Sequence, residues 1–304
     1  MLVVTNPHAT ATSARERDVL THALASEASL EVAETAYRGH AAALACRAMR
    51  DGTDVVVALG GDGTINEVVN GLLTDGVHDA VPALGIVPAG STNVLARALG
   101  LPNDPIEATG VLLDGLRTGA RRAITLGLMD ERWFTFAAGL GFDAAVVAGV
   151  ERYRGRGKRS THPLYVRVGI REFFRTDRRH PKVHVHLPDG TTYDDVFFVV
   201  VANTDPYTFL GNRPLHPTPG VTFDDGLALY ARRRMSAAGL LFSMARLSGD
   251  RPRVGRRGAY VALDLNELAV WADEPLPVQV DGDGLEPREK LVFKAVPQAL
   301  RVVV

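Results

Sequence analysis

The sequence predicts two domains, an α/β half with a parallel sheet and glycine-rich nucleotide loops, followed by a mostly antiparallel β half. Three observations carry this reading. The first hundred residues alternate short apolar runs with amphipathic stretches, the rhythm of βα units feeding a parallel sheet. A glycine-rich segment, Gly60-Gly61-Asp62-Gly63-Thr64, falls where a strand gives way to a helix. From about Ala123 onward, β-type runs separated by turn residues replace that rhythm. A chain of 304 residues, 46% hydrophobic and 23% charged, is long enough for two cores.

Taken in order, residues 2–4, 54–59 and 84–87 read as the strands of the first half. Ser13 and Glu16 have the spacing of a capping box, and Val19, Leu20, Ala23 and Leu24 then share one helical face. Thr64 and Glu67 repeat that spacing ahead of Ile65, Val68, Val69, Leu72 and Leu73. In the second half, strands are expected at 124–129, 133–137, 183–187, 196–201, 227–231, 260–265 and 278–281. The domains are set at 1–122 and 123–288, with 289–304 returning to complete the first. His184 and His186 alternate with Val183, Val185 and Leu187, which describes a strand with one buried and one wet face.

Thirty-four basic residues against thirty-five acidic ones give no global field, so nucleic acid is not an expected partner. Cys46 is the only cysteine, which excludes a disulfide framework and suits a reducing, cytoplasmic setting. The N-terminus lacks the pattern of a secretory signal and reads as a strand. No stretch approaches the roughly 20 apolar residues of a membrane span, and 237–247 is interrupted by Ser243 and Arg246. Any membrane contact is therefore expected to be peripheral.

The chemistry centres on residues 60–72, GGDGTINEVVNGL. Glycines at a strand–helix junction let phosphate oxygens approach backbone N–H groups, and the helix N-terminus favours negative charge. An aspartate among them would repel a phosphate unless a cation intervened, so Asp62 implies magnesium. This segment resembles the catalytic domain shared by bacterial diacylglycerol kinases, related lipid kinases and sphingosine kinases. Asn6-Pro7 is similar to the family's opening nucleotide motif, although His8-Ala9-Thr10 departs from its usual continuation. Thr35, ahead of Gly39-His40-Ala41, and Pro88-Ala89-Gly90-Ser91-Thr92-Asn93 match further nucleotide-contacting positions, with Ser91 in place of threonine. Phe136 to Ala144 resembles the family's second glycine-rich segment.

The resemblance implies an enzyme that uses ATP and Mg²⁺ to phosphorylate the hydroxyl of diacylglycerol or a related lipid alcohol. Its nucleotide set would be Asn6, Pro7, Thr35, Gly60, Gly61, Asp62, Gly63, Thr64, Asn66, Glu67, Gly90, Ser91 and Asn93. It further implies a structural magnesium held by Asp225 and by Thr222 and Leu227, and a proton acceptor at Asp283, aided by Asp281 and Asp62. The family usually has glutamate where this chain has Asp283, one methylene shorter. Two alternatives stand beside it: a kinase of NAD, which shares the G-G-D-G-T turn, and a lipid- or nucleotide-binding protein that has lost catalysis. The basic run Arg152, Arg154, Arg156, Lys158 and Arg159 precedes Leu164, Tyr165, Phe173 and Phe174, a combination suited to an anionic membrane surface.

Overall fold

The computed structural model describes residues 1–7, 9, 12–27, 29–154, 162–211, 213–248 and 258–304. The chain forms two compact units, 1–126 with 297–304 and 127–296.

In the first unit strands and helices alternate: β1 (Leu2–Thr5), α1 (Ala14–Ala25), β2 (Glu31–Glu34), α2 (His40–Arg50), β3 (Val55–Gly60), α3 (Asp62–Leu72), β4 (Ala83–Pro88), α4 (Val94–Ala98), α5 (Pro105–Thr118) and the start of β5 (Arg121–Met129). The strands β2, β1, β3 and β4 lie side by side in that order, all parallel, with Val3 opposite Val32 and Val57. Every residue of β3 and β4 is buried, as expected of a parallel sheet covered on both faces. Leu20, Leu24, Val57, Leu59, Val87 and Leu112 build the core. Val303, from the end of the chain, joins it, and its neighbour Val302 pairs in parallel with Leu84 of β4.

The capping box of α1 forms as expected: Ser13 Oγ accepts from Glu16 N at 3.2 Å, and Glu16 Oε2 accepts from Ser13 N at 2.6 Å. The one expected at Thr64 and Glu67 does not. The helix already begins at Asp62 with Gly61 at its cap, so Thr64 lies inside the first turn. Glu67 instead reaches the preceding helix, accepting from Gly39 N at 2.8 Å and Ala41 N at 3.2 Å, and so caps α2. Strand β2 had no sequence signature because it is an exposed edge with two glutamates in four residues.

The second unit contains β6 (Arg132–Phe134), β7 (Ala137–Gly141), α6 (Phe142–Arg154), α7 (His162–Arg175), β8 (Val183–His186), β9 (Thr192–Val196), β10 (Phe198–Ala202), β11 (Thr208–Leu210), β12 (Arg213–Leu215), β13 (Leu227–Arg232), α8 (Ala237–Leu247), β14 (Ala259–Leu265), β15 (Glu267–Val280) and most of β16 (Asp283–Val303). Its antiparallel order is β14-β13-β10-β7-β15-β16, with β8 also on β15 and β9 on β8. Phe134, Leu140, Val199, Leu229, Val270, Val278 and Phe293 are among its buried core.

Two differences from the sequence reading have local causes. Strand β15 extends the expected 278–281 strand back through residues 267–277, where none was placed, and β16 runs through 283–303. Pro275 and Pro277 sit where the β15–β16 register shifts, between Trp271 and Val278, so the strand continues by bulging. The strand expected at 133–137 is instead interrupted at Thr135 and Phe136, whose N–H groups leave the ladder for a side chain described below.

Helices α2 and α3 pack through Gly71, where a Cβ would overlap the carbonyl of Ala42. Backbone cannot yield as a side-chain tip does. Gly71→Ala should therefore cost about 1–3 kcal/mol of stability, read from the urea midpoint, despite the better helix propensity of alanine.

Candidate active-site residues

In the first unit the sheet order 2-1-3-4 reverses direction between β1 and β3, and open α/β sheets bind ligands at the carboxyl ends of the strands at such a point. Asn6 and Pro7 follow β1 there, and Gly61 to Thr64 follow β3. Asn6 N donates to Leu59 O at 3.2 Å, and its Nδ2 donates to Thr64 Oγ1 at 3.3 Å, tying the two loops across the switch point. The buried Thr5 hydroxyl at the end of β1 has no hydrogen-bond partner among the described residues. Thr35, just beyond β2, is held by its N–H to Thr5 O at 2.8 Å.

The glycines have a packing role of their own. A Cβ on Gly90 would lie 2.6 Å from Gly61 Cα and 2.8 Å from Asn93 Oδ1, and one on Gly61 would lie 3.0 Å from Gly90 Cα. The loops after β3 and β4 thus touch backbone to backbone. Gly60 has no space either, because a Cβ there would meet Thr64 at 2.7 Å. Asp62 occupies the first turn of α3, where the helix dipole favours its charge, and Oδ1 accepts a long 3.4 Å bond from Leu95 N. Arg97 faces it: partial burial pushes this guanidinium down from its ordinary value, and the Asp62 charge draws it back.

Not every expected nucleotide residue is placed for that task. Asn93 is buried in a left-handed conformation, φ 52°, with Oδ1 accepting from Gly90 N at 2.9 Å and Nδ2 donating to Gly90 O and Asn103 Oδ1. It clamps the Gly90 loop. Asn66 is buried inside α3 and accepts from Asn70 Nδ2, while Glu67 caps α2. Ser91 is exposed on the loop.

In the second unit, Val280 pairs with Asp283 across Asp281-Gly282, whose φ values of 48° and 78° are both positive, the pattern of a type I′ hairpin. The two acids of this turn have different surroundings. Asp281 is 4% exposed and takes four hydrogen bonds: Oδ2 accepts from Thr135 N at 2.7 Å and Thr135 Oγ1 at 2.8 Å, and Oδ1 from Phe136 N at 3.0 Å and Ala137 N at 3.1 Å. Burial pushes its carboxyl up, and these donors pull it back. With these four donors on its two oxygens, Asp281 holds the turn against residues 135–137. Asp283 is only half-buried.

Behind the turn lies a partly buried polar chain that sequence reasoning missed. Gln279 Oε1 accepts from Gly282 N at 3.0 Å, and its Nε2 donates to Asp143 Oδ2 at 3.2 Å. The Tyr207 hydroxyl lies 2.9 and 2.8 Å from the two Asp143 oxygens. Burial pushes Asp143 up against the pull of Tyr207 and Gln279, and drives Tyr207 well above its ordinary value. The only hint was one acid in the apolar run Gly139 to Val147.

Asp225 Oδ2 accepts from Thr222 N at 2.8 Å and Thr222 Oγ1 at 2.7 Å, which lowers its pKa, and Leu227 begins β13. These residues offer only oxygen donors, which suits a hard cation. His184 bridges Asp194 and Asp273 at 3.0 and 3.2 Å. Arg156, Lys158 and Arg159 of the basic run lie outside the described residues, as do His8 and Thr10. On α7, Phe173 turns inward at 5% exposure, while Tyr165 and Phe174 are 37% and 69% exposed. Among the described residues, no helix is long and apolar enough to cross a membrane.

Residues 1–126 match the family model of the diacylglycerol kinase catalytic domain, which bears out the resemblance carried by the motifs within that stretch. A diacylglycerol kinase of Staphylococcus aureus is 42% identical over 102 residues. That alignment covers 33% of this chain and spans 30% of the relative's length. Among solved structures, a diacylglycerol kinase from Bacillus anthracis superposes with a TM-score of 0.73 at 18% identity, covering 99% of this chain and 95% of that one. An NAD kinase from Archaeoglobus fulgidus in complex with ATP gives 0.54 at 12% identity, over 100% and 93% of the two chains. The expected α/β and antiparallel β architecture is thus the one these proteins share.

The two acids of the turn should separate in unfolding experiments. Asp281→Asn would set an amide group against backbone N–H donors and should cost about 2–4 kcal/mol. Asp283→Asn, half-exposed, should leave the urea midpoint within error of the parent.

Proposed function

We propose that the chain is an ATP-dependent lipid kinase that phosphorylates the hydroxyl of diacylglycerol or a related lipid alcohol. The observation that carries this is the loop pair at the carboxyl ends of β3 and β4, where Gly61 and Gly90 meet beside the β1–β3 switch point within the stretch that matches the kinase family. Backbone N–H groups and the α3 N-terminus there suit a polyphosphate. Asn6, Pro7, Thr35, Ser91 and Thr64 border the same end of the sheet, and Arg97 adds positive charge beside Asp62.

Asp62 would hold Mg²⁺ together with phosphate oxygens, and Asp225 with Thr222 and Leu227 would hold a structural ion. Bound Mg²⁺ supplies charge neutralisation on the transferring phosphoryl group. Asp283 accepts the proton of the acceptor hydroxyl as its oxygen bonds to the γ-phosphorus and the bond to ADP breaks. A lipid acceptor makes peripheral contact with an anionic membrane part of this reading, in a cytoplasmic enzyme.

Radiolabelled ATP offered with diacylglycerol, a sphingoid base, ceramide or NAD, with products identified by mass spectrometry, tests the assignment. A labelled lipid phosphate is expected. Labelled NADP as the sole product would transfer the chain to the NAD kinases, whose fold it shares, and ATP binding without turnover on any acceptor would leave a binding protein. Asp62→Asn and Asp283→Asn should each lower lipid phosphorylation at least about 10²-fold with the unfolding midpoint unchanged, and Asp283→Asn should retain ATP binding.

A further inference from the structure

Helix α8 is attached to its unit the wrong way round for a soluble protein. Eight of its residues are apolar in AAGLLFSMARL, yet none is buried. Leu241, Phe242 and Met244 are 69%, 62% and 37% exposed. The stripe turned toward the protein is Gly239, Leu240, Ser243 and Leu247, the half-buried positions of the helix. What fastens it there is polar. Ser243 Oγ accepts a 2.6 Å bond from Nη1 of Arg232, itself 4% exposed, and Ser236 caps the helix by accepting from Gly239 N at 3.1 Å. An amphipathic helix in water buries its apolar side, so this helix is built for an apolar medium outside the chain.

Charge beside it says which medium. Met235 and Ser236, immediately before α8, line a groove of about 690 Å³ whose walls carry Arg178, Arg179, Arg233 and Arg234. Two carboxylates, Asp194 and Asp195, share the groove, and Asp194 is already bonded to His184 at 3.0 Å. Four guanidinium groups against two carboxylates leave a positive surface. The Arg233 guanidinium lies 4.5 Å over the Tyr260 ring and that of Arg246 5.3 Å over Phe242, so cations flank the apolar residues at both ends of the helix.

We infer that this face is a docking surface for an anionic lipid bilayer, with phosphate-bearing head groups in the arginine groove and Leu241, Phe242 and Met244 entering the interface. Basic residues at a bilayer surface draw on the negative potential of the leaflet, and an apolar helical face alongside them converts attraction into seating. The lipid-kinase reading enters only in favouring a bilayer over another anionic partner.

Sedimentation with vesicles of phosphatidylcholine alone, or of equal parts phosphatidylcholine and phosphatidylglycerol, tests this without ATP or acceptor. The protein should bind the anionic vesicles and not the neutral ones. Arg233→Glu with Arg234→Glu, and separately Leu241→Ser with Phe242→Ser, should each weaken binding roughly tenfold or more, and only the first should flatten its salt dependence. Should a double variant fail to fold, Leu241→Gln alone or Arg234→Ala alone takes its place. Equal binding to neutral vesicles, or binding indifferent to both sets, overturns the inference. So does wild-type self-association that the α8 variants abolish while vesicle binding is absent, which would make a second copy the occupant. Phosphorylation of a short-chain, water-soluble diacylglycerol is measured in parallel. Its loss with docking intact sinks the kinase reading alone, and its retention without docking sinks this inference alone.

Discussion

The contact of Gly61 with Gly90 constrains the first unit more than any single side chain does. An added Cβ would lie 2.6 Å from backbone at Gly90, which excludes it, and 3.0 Å from backbone at Gly61, where the facing loop would have to give way. The approach fixes the loops after β3 and β4 against each other, and the Asn93 clamp fixes the second loop from the other side. A cradle for phosphate needs N–H groups that do not rearrange when charge arrives. Close packing of two short loops provides that rigidity, so the same contact that excludes side chains here would serve the proposed phosphate cradle.

The second unit separates two neighbouring acids by environment, a recurrent way to give like groups unlike tasks. Asp281 is buried, saturated with donors and held at positive φ, and it reaches residues 135–137 from about 145 positions away in the chain. The interruption of the strand at Thr135 and the tight turn at Gly282 are two ends of that interaction. Asp283, just beyond the turn, keeps partial access to solvent.

Local order was legible in the sequence, and long-range order was not. The βα rhythm, the Ser13 cap and the glycine-rich loop are short-range patterns and appear where expected. The Thr64–Glu67 pair shows the limit. Its spacing suits a cap, but the helix starts two residues earlier and Glu67 finds orphan N–H groups on another helix. Proline in β15 reads as a break, and becomes a bulge only because β16 pairs on either side of it. Nothing local in Asp281 or Asp143 tells of partners more than sixty residues away.

The chain from Tyr207 through Asp143 and Gln279 to Gly282 N completes the anchoring of the turn. Asp281 holds it from the side of residues 135–137, and Gln279 holds its other peptide, so both residues of the loop are tied to buried groups. Burial raises Asp143 above an unfolded carboxyl, so the folded state binds the proton more tightly, and the stability this lends is complete at acid pH and declines as pH rises through the folded value. Tyr207, pushed well above its ordinary value by burial, keeps its proton and can donate to whichever oxygen carries charge. A network with one fixed donor and one adjustable acid tolerates ionisation without losing geometry, which keeps the turn that carries Asp283 in place.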